Sequence, residues 1–234
     1  MIVFDREKLK EALKPLVIET YNKQKEEPDI YRNTLDCFSA VIEASIRGIT
    51  LEDWLDSEKE RQAQKTLQNK IGEFQQRALS TIEGVEDLGV GSVVDIICKE
   101  KKLVAEIKNK WNTTKGNHKA QIYDDLLMQI NAREGYTGYY VEILSNKGRR
   151  YNKPFTPSDN RTKQTRPLNE RIRVIDGRSF YEILTGEKDA LKQMYLLLPE
   201  LTSEIMSESC NVDRDPGFIK NSELFNNLFN KVFN

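Results

Sequence analysis

Histidine is almost absent from this chain: His118 stands alone among 234 residues. Chemistry that needs two or more imidazoles, as acid–base partners or as metal ligands, is thereby excluded. A single histidine at a helix start is ordinarily a cap or a surface group. Cysteine is scarce too. Cys37, Cys98 and Cys210 are odd in number and far apart, which excludes a disulfide framework and a paired zinc spacing and suits a reducing compartment. No apolar run approaches the ~20 residues that span a bilayer. The opening Met1-Ile2-Val3-Phe4-Asp5-Arg6-Glu7 has no basic segment followed by a long apolar one, so neither a secretory leader nor membrane contact is expected, and the expected location is cytoplasmic. No G-x-x-x-x-G-K-[ST] string occurs, and no nucleotide cofactor is expected.

Net charge is missing as well, at −1 overall, but its distribution is uneven. Residues 99–119 carry seven Lys against two Glu, a balance of +5, and residues 145–173 carry nine Lys/Arg against Asp159 and Glu170, a balance of +7. The remainder of the chain is therefore acidic. Two basic blocks in an otherwise acidic protein form a phosphate-binding footprint; the plainer alternative is a solvated, flexible loop. The second block is expected to be mobile until it meets its ligand.

Hydrophobic spacing organises the rest. At 27.2 kDa one core with extensions is expected. Leu9, Leu13, Leu16 and Val17 mark a helix over about 5–25, and Ile30, Leu35, Phe38, Val41, Ile42 and Ile46 a second over about 30–47, ending at Gly48. Thr50-Leu51-Glu52-Asp53 has the form of a capping box that opens a long charged helix or helix pair to about Ser80. Then follow a short strand near 82–88, a hairpin, a helix over about 118–133, a strand at 138–144, the basic loop and a strand at 171–175. Helices over 179–209 and 221–233 close the chain. Strands interleaved with helices give an α/β fold, a mixed central sheet flanked by helices, with a helical N-terminal extension. The expected division is a helical region 1–66, a core 67–200 and a helical tail 201–234, within one compact unit. In the tail, Leu224, Phe225, Leu228, Phe229, Val232 and Phe233 fall on one stripe, which packs on its own domain or covers a second copy.

The hairpin holds the most informative residues. Two apolar runs, Val93 to Cys98 and Leu103 to Ile107, are joined by Lys99-Glu100-Lys101-Lys102. Each run contains one carboxylate, Asp95 and Glu106. If residues 99–102 form the loop, Cys98 pairs with Leu103, and Asp95 falls directly opposite Glu106. At an effective dielectric near 20, like charges about 5 Å apart repel by on the order of 3 kcal/mol. A divalent cation together with the ammonium of Lys108, one pleat beyond Glu106, would offset that repulsion. The alternative is an edge strand with one wet face, on which Glu106 and Lys108 are ordinary surface residues.

The arrangement Asp95…Glu106-x-Lys108 resembles the PD-(D/E)xK nuclease superfamily. The string Glu106-Ile107-Lys108-Asn109-Lys110-Trp111-Asn112-Thr113, with GYTGYYVEILSNKG at 135–148 and IRVIDGRSFYEILTGEKDALKQMYLLLP at 172–199, resembles the small type II restriction endonucleases that cut G-G-N-C-C-like sites. The resemblance covers roughly residues 70–200; the first 65 residues show no match. Val94 stands where the superfamily motif has proline, at a position that varies. The resemblance implies a restriction-endonuclease-like core and a Mg²⁺-dependent hydrolase that cuts both strands of double-stranded DNA at a short palindromic or near-palindromic site and leaves a 5′-phosphate. It further implies a homodimer and a cognate DNA methyltransferase as genetic partner. A repair or mobile-element nuclease with the same core, or a DNA-binding protein without catalysis, are the alternatives.

On that reading Asp95 and Glu106 ligate Mg²⁺, which prefers carboxylate oxygens and retains several waters. The main-chain carbonyl of Ile107 is a further ligand by resemblance, and Glu73 on the preceding helix an additional carboxylate or merely a solvent-facing one. Lys108 positions or deprotonates the attacking water and offsets charge in the transition state. Lys110, Asn112, Thr113 and Lys115 follow the motif and are placed to grip phosphates. Arg149, Arg150, Arg161, Arg166 and Arg171 are candidates for guanine recognition or phosphate contact. Trp111 is expected to pack rather than to touch bases.

Overall fold

The computed structural model describes residues 3–25, 31, 34–89, 91–159 and 162–233. Its frame is a six-stranded sheet of order β1-β2-β3-β4-β6-β5. The strands are β1 (Val85–Asp87), β2 (Ile96–Cys98), β3 (Leu103–Lys110), β4 (Thr137–Leu144), β5 (Asn152–Pro154) and β6 (Ile172–Asp176). β1, β2 and β3 form an antiparallel meander, β3, β4 and β6 run parallel, and β5 closes the edge antiparallel to β6. The chain is α/β.

The hairpin has the register read from the sequence, Cys98 opposite Leu103 and Ile96 opposite Ala105. The four-residue loop is closed by Lys102 at a positive φ of 48°. β2 is shorter than the apolar run, however. Val93 is exposed and the ladder begins only at Ile96, although Asp95 N–H still donates to the Ala105 carbonyl at 3.0 Å.

Each face of the sheet buries one core. Leu103, Ala105 and Ile107 of β3, Val141 and Ile143 of β4 and Ile175 of β6 point to the larger one. It is covered by helices α1 (Arg6–Lys25), α3 (Leu51–Ser80), α5 (Gly177–Thr185) and α6 (Ala190–Cys210). Val104, Tyr140, Ile172 and Val174 point the other way, to Ile122, Tyr123, Leu126 and Ile130 of α4 (Gly116–Asn131). Gly138 lets the helix approach closely there: a Cβ would lie 3.1 Å from that of Leu126. α4 thus lies flat on the β3–β4 pair, with its N-terminus beside the C-terminal ends of those strands.

The capping box at Thr50 is present, with Thr50 and Asp53 each accepting from the other's backbone, and it opens a single 30-residue helix, α3, not a pair. That helix runs through residues 66 and 67, and α1 packs in the larger core. Helix α2 (Cys37–Arg47) starts later than its apolar spacing suggests, because Asp36 caps it by accepting from Phe38 and Ser39 N–H; Ile30 lies outside the described residues. Its apolar stripe does not face the core. Ala40 and Ala44 pack on Trp54, while Phe38, Val41, Ile42 and Ile46 are exposed.

The second basic block is more structured than a free loop. It contributes β5, a bridge between Ser158 and Thr165, and the buried Phe155. Beyond a short α7 (Gly217–Lys220), the tail helix α8 (Glu223–Phe233) divides its stripe between two faces. Phe225, Phe229 and Phe233 are buried in the chain, with Tyr195 stacked on Phe225 at 4.8 Å, whereas Leu224, Leu228 and Val232 are exposed. The end of α8 rests on Gly148, where an added Cβ would lie 2.2 Å from the Val232 carbonyl oxygen.

Candidate active site

The C-terminal ends of parallel strands in an open α/β sheet form a natural crevice, because side chains there pass beyond the covering helices. In β3 that transition occurs after Val104. Glu106 and Lys108 continue the α4 face past the apolar layer; their side chains are 14% and 26% exposed, and Lys108 Nζ lies 2.6 Å from Glu106 Oε1. Asp95 enters from the bend just before the neighbouring strand β2. Its Oδ2 accepts from Ile107 N–H at 2.6 Å, fixing the carboxylate against the β3 backbone. Burial, then the charge of Glu106, raises the Asp95 pKa to about 6, against the opposing pull of the Ile107 amide, Lys108 and the Gln76 side chain. That direction is the one a neighbouring like charge gives.

Two hard-oxygen carboxylates, neither saturated by protein partners, suit a hard cation that retains much of its water shell. No cluster of three or more His, Cys, Asp or Glu occurs among the described residues. The donor set fits Mg²⁺ better than zinc.

A second polar group lies alongside. Glu142 of β4 pairs with Lys108 across the parallel ladder and is buried. It accepts from Lys119 Nζ of α4 at 3.0 Å and from the Tyr151 hydroxyl. Lys119 also reaches the Trp111 carbonyl at 3.3 Å, tying α4 to the end of β3. Asp176, at the end of β6, accepts from Tyr151 N–H and caps α5 through Ser179 N–H. Neither Glu142 nor Gln76 was singled out from the sequence. Glu142 carried the same signal as Asp95, a carboxylate inside an apolar strand; Gln76 carried none, being one glutamine on a polar helix.

The remaining expected residues separate by their partners. Glu73 is held by Lys70 at 3.2 Å with Arg77 at 3.9 Å, while Gln76, one turn further, is the α3 residue that reaches Asp95. Lys110 ends β3 and Lys115 precedes α4, both without an acidic partner among the described residues; Asn112 is exposed, and Thr113 donates to the Lys110 carbonyl in the turn between them. Arg166 is engaged by both oxygens of Asp124, at 2.8 and 2.6 Å, and Arg150 by Glu182 and the Lys188 carbonyl. Arg149 and Arg171 are exposed and have no carboxylate partner among the described residues. Arg161 lies outside the described residues. Trp111 is 40% exposed rather than packed away, with its backbone N–H bound to the Leu144 carbonyl and its own carbonyl to Lys119. A cavity of about 720 Å³ between α2 and α3, lined by Trp54, Glu58 and Arg61 among others, shares no residue with the strand ends.

Comparison with known proteins gives a consistent outcome. The family model described as Eco47II restriction endonuclease matches residues 3–207, so the N-terminal helices fall within the matched region as well as the core. The chain is 42% identical over 181 residues to the type II restriction enzyme Eco47II of Escherichia coli, covering 75% of each chain. It is 32% identical over 172 residues to the type II restriction enzyme Sau96I of Staphylococcus aureus, covering 72% of this chain and 66% of the other.

Proposed function

Because the chain belongs to the Eco47II restriction endonuclease family, and is thus a type II site-specific deoxyribonuclease, we propose that it hydrolyses both strands of duplex DNA with Mg²⁺ at Asp95, Glu106 and Lys108. The observation that carries this reading is the close approach of three groups at the end of β3: Asp95 fixed on the Ile107 amide and Lys108 2.6 Å from Glu106. Asp95, Glu106 and the Ile107 carbonyl would hold the cation, which when bound supplies charge neutralisation at the phosphate and a more acidic water. Lys108 orients the attacking water and donates toward the negative charge that develops on the phosphoryl oxygens. Water oxygen bonds to phosphorus, the bond to the 3′-oxygen breaks, and that oxygen takes a proton, leaving a 5′-phosphate and a 3′-hydroxyl.

The site is G-G-N-C-C-like on this reading, and Arg149 and Arg171, which have no carboxylate partner among the described residues, are available to read guanine or grip phosphate. Arg150 and Arg166 act through their carboxylates to hold the basic segment in shape. Glu73 has no part in the metal site. The enzyme works as a homodimer, since one chain supplies one such group and a palindrome presents two equivalent bonds. A cytosine methyltransferase of matching specificity protects the host DNA. Among the described residues no helix is long and apolar enough to cross a membrane. Digestion of a sequenced plasmid with and without Mg²⁺, followed by mapping of the ends, tests the reading. Cuts in both strands at one repeated short sequence are expected. Intact plasmid with Mg²⁺ present, or cuts that follow a structure or lesion and not a sequence, would refute it.

A further inference from the structure

Trp111 follows β3 directly, three residues past Lys108, which is about 10 Å along extended backbone. Its backbone is held on both sides. The N–H donates to the Leu144 carbonyl at 3.1 Å, and the carbonyl accepts from Lys119 Nζ at 3.3 Å. In the turn that follows, Thr113 donates to the Lys110 carbonyl through both its N–H and its hydroxyl, at 3.3 and 2.8 Å. The side chain has no such support. It is exposed, and among the described residues its indole N–H has no acceptor and its ring no aromatic or cationic neighbour. The other tryptophan shows the ordinary alternative: Trp54 is buried, packs on Ala40 and Ala44, and donates its indole N–H to Glu43 at 3.0 Å.

A single exposed apolar residue is ordinary on a protein surface; the surroundings set this one apart. From Ile107 to Tyr123 the chain carries four lysines and no acidic residue, with Asn109, Asn112, Thr113 and Thr114 among them. Lys108 pairs with Glu106 and Lys119 with Glu142, but Lys110 and Lys115, on either side of Trp111, have no acidic partner among the described residues. That composition selects the partner. A second copy or another apolar surface laid over the ring would bury two lysines without counter-charges, which is costly. A nucleic-acid strand brings a phosphate for each lysine and a flat π-face for the indole. Because the backbone is already fixed, the contact costs little further ordering.

We propose that the Trp111 indole stacks on a base of the bound duplex, within about three base pairs of the scissile phosphate at 3.4 Å of rise per pair. The contact rests on the reading of the chain as a duplex-cleaving enzyme and adds an aromatic wedge to the carboxylate–lysine group. A base inside a duplex offers its face only where a step opens, so the ring enters the step and the duplex kinks there. Lys110 and Lys115 hold phosphates beside the opened step and offset its cost. Every base has a π-face, so the stack does not itself read sequence. Trp111 is a positioning residue: it fixes the strand so that the phosphate to be cut lies over Asp95 and Glu106.

The probe is a synthetic duplex containing the site mapped from the wild-type plasmid digest, together with a series in which one base at a time is replaced by an abasic position. Binding is read by fluorescence anisotropy without divalent metal. Trp111→Ala should bind the unmodified duplex roughly 5–100-fold more weakly, the range of one base–aromatic stack, with an unchanged melting temperature. Trp111→Phe should restore most of that affinity. Across the abasic series, the ratio of wild-type to Trp111→Ala affinity should change at one position or two adjacent ones and stay constant elsewhere. Tryptophan emission gives a second readout: wild type should be quenched on binding, whereas Trp111→Phe, in which only the buried Trp54 emits, should not. An affinity ratio that is the same at every position, or wild-type emission that is unmoved by the duplex, would refute the stack. Emission that follows protein concentration and not the duplex would assign the ring to a second copy and refute it equally. A wild type that neither cuts nor binds duplex DNA would refute the functional reading first, and the stack with it; a wild type that does both while Trp111→Ala matches it on every duplex refutes the stack alone.

Discussion

The sharpest consequence of the opposed carboxylates is that removing one of them should strengthen the metal-free protein while abolishing its activity. Asp95 is the better choice, because its pKa is raised to about 6 by burial and by Glu106. The folded-state pKa lies above the unfolded value of 3.8, so the folded protein binds the proton more tightly than the unfolded chain does. Ionised Asp95 therefore destabilises the fold fully above pH 6, by about 3 kcal/mol for a shift of two units. That penalty fades as pH falls through 6 and is gone below the unfolded pKa. Asparagine keeps an oxygen that can accept from Ile107 N–H and removes the charge. Without divalent metal at pH 7.5, Asp95→Asn should unfold about 2–3 kcal/mol later than wild type, which for a chain of this size is roughly 5–10 °C in melting temperature. At pH 4.5 the gap between the two melting curves should shrink to about a third, on the order of 1 kcal/mol, and below the unfolded pKa it should close. Adding Mg²⁺ should raise the melting temperature of wild type alone, and Asp95→Asn should leave plasmid uncut while still binding duplex. Differential scanning fluorimetry across pH, with and without metal, measures all of this. A melting temperature for Asp95→Asn that lies below wild type by the same amount at pH 4.5 and pH 7.5 would show that Asp95 is a structural hydrogen-bond acceptor and that the electrostatic argument is wrong.

Lys108→Ala should abolish cleavage yet preserve the Mg²⁺-dependent rise in melting temperature, since the carboxylates remain; loss of that rise would place Lys108 in cation binding instead. Arg149→Ala and Arg171→Ala should weaken duplex binding or relax specificity by ~1–3 kcal/mol. Arg166→Ala, by contrast, breaks the paired bonds to Asp124 and should lower the melting temperature; the opposite pattern in binding and melting experiments would reverse the assignment. Gly148→Ala places a Cβ against the α8 backbone at a positive φ of 66°, and a loss of about 1–3 kcal/mol is expected from overpacking, read by urea denaturation. Leu228→Glu, on the exposed face of α8 beside the basic segment, should yield a folded monomer that nicks one strand, with mass read by light scattering; a dimer that still cuts both strands would move the interface elsewhere, the open face of α2 included.

Much of the site was readable because the hairpin is local. Two apolar runs, a four-residue charged loop and the strict two-residue alternation of strands set the pairing of Asp95 with Glu106 without reference to anything distant. The capping box at Thr50 and the helical spacing of α1, α4 and α6 were equally local, and the family resemblance over 70–200 joined them into one fold. Other features depended on where the chain returns. β5 was missed because Asn152-Lys153-Pro154 has no apolar alternation; it is a strand only because β6 offers an open edge. The stripe of α2 looked like a core face, yet only Ala40 and Ala44 are covered, because burial depends on which neighbour arrives and not on spacing. Nothing in the local spacing of Arg150 and Arg166 encodes their ion pairs with Glu182 and Asp124, which stand 32 and 42 positions away.

By itself, then, the sequence determined the opposed carboxylates, the adjacent lysine and the helices and strands around them, since each follows from spacing within some twenty residues. Tertiary structure alone decided the rest: that Gln76 and not Glu73 faces Asp95, and that Glu142 and Lys119 stand beside Lys108. These contacts join residues between about twenty and forty positions apart. Their distances are set by parallel strand pairing and by the seat of α4 on the sheet, which no local spacing encodes.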